Sequence, residues 1–165
     1  YALEDTFTAF EELKAAGKIR SWGVSNFDTD DLDEALRVAG KGKIACNQVL
    51  YHLRERAIEH AVIPWCEHNA VAVVAYSPFG QMASPAPASP GGKVLAQVAK
   101  AHGATPRQVE LAFLTRKDCV FAIPKASKVT HAEENAGGDL VLTAGEIEAI
   151  DRAFPRGRAK SLPML

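Results

Sequence analysis

The sequence lacks long apolar runs. Its longest apolar stretches, VAVVAY and VFAIP, have the length of strands, well below the roughly 18 residues that a membrane-spanning helix needs. The opening YALEDTFTAFEEL is acidic and has no basic segment of the kind that begins a signal peptide. From these absences we expect no membrane association.

The chain also has little net charge and few cysteines. A formal net charge of −1 gives no general attraction to nucleic acid, so we expect no nucleic-acid partner. Cys46, Cys66 and Cys119 are an odd, scattered set, which favours reduced buried thiols and a cytoplasmic location. With 47% apolar and 24% charged residues, the 165-residue chain has the composition of a soluble globular protein with one core.

Several catalytic and nucleotide-binding motifs are absent. The sequence has neither the G-x-x-x-x-G-K-[ST] phosphate loop nor a glycine-rich dinucleotide fingerprint. GVSNF ends in Phe27 and therefore does not match the G-x-S-x-G nucleophile elbow. No tyrosine is followed four residues later by lysine, and no histidine belongs to an H-E-x-x-H motif. These absences count against a short-chain dehydrogenase, an α/β-hydrolase, a P-loop protein and a metal site.

What the sequence does contain is an alternation of strand-like and helix-like segments. This alternation predicts a parallel α/β fold in a single domain, residues 1–165. The strands do not alternate polar with apolar residues, so we expect both faces of the sheet to be covered. The four strand-like stretches, each followed by a helix-like segment, are IRSWGVSN, KIACNQVLYH, VAVVAYSPFG and CVFAIPKAS.

Local signals refine this pattern. Capping-box spacings predict helix starts at Thr105, Thr130 and Thr143. Pro64 lies inside a segment that otherwise has helical character, so we expect a kink or break there. The proline-rich segment 81–92 predicts a mobile loop, long enough to act as a lid, and we expect the tail 155–165 to be frayed.

Polar and aromatic residues follow each predicted strand. In parallel α/β folds the carboxyl ends of the strands meet at one rim, where ligands bind. Amides and hydroxyls suit a carboxamide, a tyrosine offers its face to a planar ring, and lysines before a helix suit a phosphate. Together these groups describe a nicotinamide dinucleotide with a 2′-phosphate. The residues at the four strand ends are Ser25, Asn26 and Phe27; Asn47 and Gln48; Tyr76, Ser77, Pro78, Phe79 and Gly80; and Pro124, Lys125, Ala126, Ser127 and Lys128.

Each of these residues also has a purely structural interpretation. Ser25 and Asn26 could cap the following helix, and Tyr76 could be a core aromatic whose hydroxyl is satisfied. The lysines after the fourth strand could form a solvated face. Gln48 is harder to explain in this way, because a buried amide needs partners. The joint placement at four successive strand ends favours the functional interpretation.

The sequence resembles the aldo-keto reductases over nearly its whole length. The segments LEDTFTAFEELKAAGKIRSWGVSNF, NQVLYH, VIPWCEHNAVAVVAYSPFG and FAIPKASKVTHAEEN are similar to that family's sequences, in the same order. The resemblance implies a (β/α)8 TIM barrel, of which this chain carries the second half: the fourth helix, then strands five to eight with their helices. It also implies reduction of an aldehyde or ketone by NADPH.

The resemblance implies cofactor-binding roles for individual residues. Ser25, Asn26 and Gln48 match the residues that hold the nicotinamide carboxamide, and Tyr76 matches the aromatic residue that stacks on the nicotinamide ring. The remaining cofactor-binding candidates are Ser77, Pro78, Phe79 and Gly80 beside the pyrophosphate; Lys125, Ala126, Ser127, Lys128 and His131 near the 2′-phosphate; and Glu134 and Asn135 at the adenine.

One position departs from the family pattern. The family often has arginine six residues after the lysine that Lys125 matches, whereas this chain has His131. Neutral imidazole is a poorer phosphate partner than guanidinium. We therefore expect NADP to be preferred, with Lys128 as a substitute cation, and leave the choice between NADP and NAD open.

By the same resemblance, the residues that carry out the family's chemistry precede the position matched by Tyr1. They are an aspartate, a proton-donating tyrosine, a lysine and a histidine, so no catalytic residue is assigned in this chain. Four parallel strands also leave two open edges and a half-filled inner face. We therefore expect a truncated product or fragment, or a half that pairs with a second copy or with a missing N-terminal half.

Three hypotheses follow for the function. The first is an NADP-dependent oxidoreductase to which this chain contributes the cofactor-binding half. The second is a non-catalytic module that binds the nucleotide and reports on it. The third is a structural fragment that binds nothing. Turnover of an aldehyde with NADPH separates the first two hypotheses.

Overall fold

The computed structural model describes residues 2–80, 84–159 and 162. Its strands lie in the sheet in chain order, and every pairing is parallel, which confirms the predicted parallel α/β fold. An order without reversal is that of a barrel segment, because a doubly wound sheet changes direction at its switch point. The strands are β1 (Trp22–Ser25), β2 (Ile44–Leu50), β3 (Ala72–Tyr76) and β4 (Val120–Ala122).

Helices precede the sheet and connect its strands. In the described parts of the chain, no helix is both long and apolar enough to cross a membrane. The helices are α1 (Leu3–Ala15), α2 (Thr29–Ala39), α3 (Val62–Asn69), α4 (Pro90–His102), α5 (Pro106–Leu114), α6 (Val129–Ala136) and α7 (Ala144–Ala153), with a 3₁₀ turn at Ala57–Glu59.

Two of the three predicted capping boxes are present. Thr105 begins α5 and Thr143 begins α7, each with the expected reciprocal hydrogen bonds. The predicted start at Thr130 is wrong, because α6 already begins at Val129 and Lys128 occupies the cap position without a side-chain hydrogen bond. Thr130 lies inside the first turn, where a helical backbone cannot serve as an N-cap.

The segment around Pro64 is broken, but ahead of the proline. The 3₁₀ turn ends at Glu59 and α3 begins at Val62. Pro64 is therefore the third residue of α3, where a backbone N–H has no intrahelical acceptor to lose. The predicted break is confirmed, and the helix itself accommodates the proline in its first turn.

The predicted loop over 81–92 ends earlier than expected, because α4 begins at Pro90. Ser89 caps this helix by accepting a hydrogen bond of 3.0 Å from the backbone N–H of Gly92. Gly91 is buried against the ring of Phe154, which leaves no room for a side chain. Residues 81–83 lie outside the described residues, so the mobility of the loop stays a prediction.

In the described ranges, helices cover one face of the sheet only, which corrects the expectation of two covered faces. In-register residues of neighbouring strands project to the same side. Asn47, Val73 and Val120 form one such row and are buried. The row on the other face begins with half-buried Gln48 and ends with Phe121, which is 57% exposed. Crossovers of one hand place all the connecting helices on the same side of a sheet with this order.

A buried ionic cluster ties the connection after β2 to the end of α5 and to α7. Arg56, only 2% exposed, donates to Glu59 and, at 2.6 Å, to Asp151. Arg116 lies 3.1 Å from the same glutamate, to which Tyr51 also donates. Burial acts to raise the pKa of Glu59, but the hydrogen bonds from Arg56 and Tyr51 outweigh it and hold that pKa below its ordinary value.

Candidate functional site

The ends of β1, β2 and β3 bring four of the predicted residues together. The chain turns after β1 at Asn26, whose backbone is left-handed with φ of 59°. The backbone N–H of Asn26 and Oγ of Ser25 both donate to the carbonyl oxygen of Gln48, at 2.9 and 3.0 Å. The phenolic O–H of Tyr76 donates to Oδ1 of Asn26 at 3.2 Å. These contacts join the four residues at one edge of the sheet, Gln48 through its backbone carbonyl.

Asn47 belongs to the support of this group. Its buried Nδ2 donates to the carbonyl oxygen of Phe27 at 2.8 Å, and its Oδ1 accepts from the N–H of Phe27 at 3.4 Å. Asn47 faces the helices, whereas Ser25 and Gln48 are in register on the open face. Within the described residues the side chain of Gln48 makes no hydrogen bond, which leaves its amide available to a ligand.

The helix-cap interpretation of Ser25 and Asn26 is wrong. The N-cap of α2 is Asp28, whose carboxylate accepts from the backbone N–H groups of Asp30 and Asp31, at 3.1 and 3.4 Å. The hydrogen bonds of Ser25 and Asn26 run instead to β2 and β3. Their polar groups therefore serve the rim of the sheet.

The chain after β3 makes a tight turn toward α5. Ser77 is left-handed with φ of 52°, and Gly80 donates its backbone N–H to the carbonyl of Ser77 at 2.8 Å. Pro78 is buried, and the ring of Phe79 lies 5.0 Å from the guanidinium carbon of Arg107. This turn joins the rim to the first turn of α5.

The segment after β4 is not joined to this group by side-chain contacts. In the described ranges its polar side chains make no hydrogen bonds or ion pairs with other described residues, and all of them are exposed. The segment leads into the N-terminus of α6, which has no side-chain cap and therefore presents free backbone N–H groups. Its members among the predicted site residues are Lys125, Ala126, Ser127, Lys128 and His131.

A pocket of about 340 Å³ lies among α4, α5, α6 and the loop before α4. Its wall contains one cation, Arg107, and one carboxylate, Glu134. Asn135 lines a different pocket, of about 220 Å³, so the predicted pair Glu134 and Asn135 is divided between two cavities. The other lining residues of the larger pocket are Ser84, Pro85, Pro87, Gly92, Ala96, Thr105 and Pro106.

Sequence reasoning missed Arg107. The available signal was a cation in the first turn of a helix, Thr105 being the cap, where the macrodipole favours an anion. A cation at this position is unfavourable for the helix itself, so helix stability does not explain why arginine stands there.

Glu110 lies buried in α5, one turn along from Arg107. It is 1% exposed, and among the described residues its Oε1 has no hydrogen-bond partner. Burial raises the pKa of Glu110 to about 7, and the side chain of Ser84 and the positive charges of Arg107 and Arg54 act in the opposite direction. Near neutral pH this carboxyl is therefore only partly ionised.

The cysteines have no arrangement that suggests chemistry. All three are free, and burial raises the pKa of each thiol, that of Cys66 to about 12. Thiols with raised pKa values stay protonated at neutral pH and are poor nucleophiles. In the part of the chain that the structure describes, no group of three or more His, Cys, Asp or Glu residues is placed to hold a metal ion.

Known proteins resemble this chain in both sequence and structure. The model of the Aldo/keto reductase family matches residues 1–154. Methylglyoxal reductase YeaE of Escherichia coli K12 is 39% identical over 162 residues, which cover 98% of this chain and 57% of that protein. NADH-specific methylglyoxal reductase of the same organism is 35% identical over 79 residues, 48% of this chain and 23% of that protein.

A solved structure extends the comparison. The crystal structure of an aldo-keto reductase from Klebsiella pneumoniae in complex with NADPH matches with a TM-score of 0.89 and 39% identity. The match covers 100% of this chain and 59% of that chain. This chain therefore spans little more than half the length of the full-length relatives it matches.

Proposed function

We propose, since the chain belongs to the aldo/keto reductase family, that it forms the cofactor-binding part of an NADP-dependent carbonyl reductase. The observation that carries the proposal is the junction at the ends of β1, β2 and β3. There Ser25, Asn26, Gln48 and Tyr76 are held together by hydrogen bonds at one rim of the sheet.

The junction fits a nicotinamide ring with its carboxamide. A carboxamide needs one partner that accepts and one that donates, and an amide side chain offers both. The amide of Gln48 is not engaged by the described residues, and Asn26 uses only Oδ1 for its contact with Tyr76. The ring of Tyr76 is half-buried and anchored through its hydroxyl, which suits it to hold a planar ring in one orientation.

The nucleotide end of the cofactor has a counterpart in the pocket around Arg107 and Glu134. Its proline-rich walls suit a flat base, and Glu134 can accept a hydrogen bond from an exocyclic amine. Lys125 and Lys128 stand exposed before the uncapped N-terminus of α6, a place that favours a phosphate. These features support NADP as the coenzyme. Because one relative is named as NADH-specific, NADH is tested beside NADPH.

The open face of the sheet supports the proposal that these strands are the second half of an eight-stranded barrel. The face includes Phe121, which is 57% exposed, and the free edges are β1 and β4. A second set of β/α units, from a longer chain or from a second copy, would fill this face. In this arrangement bound NADPH supplies the hydride. This chain's residues bind and orient the cofactor, and the proton donor lies outside them.

The substrate class is a small aldehyde or ketone. Two of the relatives are named as methylglyoxal reductases, so methylglyoxal is the first carbonyl compound to test. Turnover of methylglyoxal with NADPH would identify a complete enzyme. Saturable coenzyme binding without turnover would agree with a chain that supplies only the binding half. The alternative of a non-catalytic nucleotide-binding module or inactive fragment is not favoured, because the named relatives are reductases.

The direct test is a fluorescence titration of the 165-residue chain with NADPH and with NADH. We expect saturable binding, tighter for NADPH. Gln48→Ala should weaken binding of both coenzymes by about tenfold, because an amide that bonds the carboxamide is lost. Gln97→Ala, on the exposed face of α4, is the matched control and should bind like the wild type. A folded wild-type chain that binds neither coenzyme would refute the proposal.

A further inference from the structure

Arg107 is the cation in the lining described above for the pocket of about 340 Å³. Among the described residues it forms no ion pair and no hydrogen bond. Its one defined contact is with the face of Phe79, at 5.0 Å from the guanidinium carbon to the ring centroid. That stacking leaves the N–H groups at the edge of the guanidinium free to donate.

The nearby carboxyls offset this charge only in part. Glu110, three residues along α5, is buried with an Oε1 that has no hydrogen-bond partner in the described ranges, and burial raises its pKa to about 7. Glu134, in the pocket wall on α6, makes no ion pair with Arg107. The first turn of α5 adds the positive end of its helix dipole to the same place. The local field therefore favours an anion.

Arg107 lies where the two proposed ends of the cofactor site meet. Phe79 belongs to the turn that leaves Tyr76, and Arg107 both covers Phe79 and lines the pocket that would hold the adenosine. A dinucleotide with its nicotinamide at Tyr76 and its base in the pocket must carry its phosphates between them. A planar guanidinium binds phosphate oxygens in pairs, which a lysine ammonium cannot do.

We infer that Arg107 binds the diphosphate bridge of the dinucleotide, and that Phe79 holds its guanidinium in position. The inference rests on the proposed function, because it presupposes a dinucleotide in the site. It assigns to Arg107 a contact shared by NADPH and NADH, distinct from the contacts of the lysines after β4 with the 2′-phosphate. Binding of both coenzymes therefore depends on Arg107 to the same degree.

The test compares NADPH and NADH affinities in Arg107→Met and Arg107→Lys. We expect Arg107→Met to weaken both coenzymes by the same factor, about tenfold or more, because charge-assisted hydrogen bonds are lost. Arg107→Lys keeps the charge without the planar guanidinium, so it should lose less coenzyme affinity than Arg107→Met. Arg152→Met removes an equal charge from an exposed position on α7 and should leave both affinities unchanged.

Adenosine serves as a probe without phosphates. Its affinity should be the same in Arg107→Met and wild type. A loss of adenosine affinity would mean that Arg107 stacks on the base, and a loss confined to NADPH would place it at the 2′-phosphate. Either result overturns the inference, as does unchanged binding by Arg107→Met. Melting temperatures of all variants show whether a loss of binding reflects unfolding.

The outcomes also separate this inference from the proposed function. If the folded wild type binds neither coenzyme, both fail. If the wild type binds and Arg107→Met binds equally well, only the role of Arg107 fails. Phe79→Leu provides an independent check, because it keeps the cation and removes the ring that positions it, and it should weaken both coenzymes less than Arg107→Met does.

Discussion

The hydroxyl of Tyr76 donates a hydrogen bond of 3.2 Å to Oδ1 of Asn26. The bond spans β2, the strand between β1 and β3, and so joins the ends of strands that are not neighbours in the sheet. It uses the O–H of Tyr76 and one lone pair of the Asn26 amide oxygen. The donating Nδ2 of Asn26 and the face of the Tyr76 ring are not used by this bond.

Two replacements of Tyr76 separate the contribution of its hydroxyl from that of its ring. Tyr76→Phe keeps the ring and loses one hydrogen bond, so we expect about 1 kcal/mol less stability and only a small loss of NADPH affinity. Tyr76→Ala removes the ring and should weaken NADPH binding far more. Urea denaturation and coenzyme titration measure the two effects. Equal affinities for Tyr76→Phe and Tyr76→Ala would contradict a stacking role for the ring.

The left-handed backbone of Asn26 allows its side chain to be tested without strain. At φ of 59°, alanine costs about 1 to 2 kcal/mol, whereas glycine adopts this conformation freely. Asn26→Gly should therefore fold more stably than Asn26→Ala, yet both should bind NADPH more weakly than wild type. If Asn26→Gly binds as tightly as wild type, the residue serves the turn alone.

Gly23 in β1 is expected to tolerate no side chain. A Cβ there would lie 2.5 Å from both the carbonyl oxygen and the Sγ of Cys46, so β1 and β2 would have to separate. Gly23→Ala should destabilise the fold by about 1 to 3 kcal/mol through overpacking. Gly145→Ala is the control in α7: it has no atom within 4 Å and should gain about 0.5 to 1 kcal/mol of helix stability. Thermal unfolding distinguishes a loss from a gain.

Truncation of Arg56, at the centre of the buried ionic cluster, is expected to reduce the stability of the fold strongly. Arg56→Met leaves Glu59 buried with fewer partners, and we expect about 3 kcal/mol of destabilisation, measured by urea unfolding. Arg152→Met, whose ion pair with Glu148 is exposed on both sides, should change stability by less than about 0.5 kcal/mol. Similar values for the two variants would show that Arg116 and Arg156 are enough to compensate Glu59.

Glu110 predicts a pH dependence of stability. Its pKa of about 7 in the fold lies above the roughly 4.3 of an unfolded glutamate. The stability that depends on its neutral form is complete below the unfolded pKa and is lost as the pH rises through about 7. Glu110→Gln is always neutral, so it should be more stable than wild type at pH 8, by up to about 3 kcal/mol.

The comparison between pH 4 and pH 8 supplies the control for Glu110. Urea unfolding of wild type and Glu110→Gln should differ little at pH 4, and the difference should grow toward pH 8. Glu133→Gln, an exposed glutamate on α6, should parallel the wild type at both values. A constant difference between wild type and Glu110→Gln would mean that Glu110 is ionised in the fold near its ordinary pKa.

Much of the rim could be predicted from the sequence because strand ends are local signals. The run from Ser25 to Phe27 at the end of β1 places polar groups at the carboxyl edge, wherever the strand lies in the sheet. The sequence could not separate Asn47 from Gln48, because the side that each residue faces depends on the register with β1 and β3. Nor could it divide Glu134 from Asn135, because the packing of α6 against α5 decides which residue reaches which pocket.

By itself, the sequence determined the order of strands and helices and the capping boxes at Thr105 and Thr143. Those features depend on residues within one turn or one strand, so they survive any tertiary arrangement. Only the tertiary structure decided that Arg107 covers Phe79 and that Pro64 falls in the first turn of α3. Contacts between residues far apart in the chain form when helices pack on the sheet. The burial of apolar surface that drives this packing has no directional preference, so a local sequence pattern does not determine which distant residues meet.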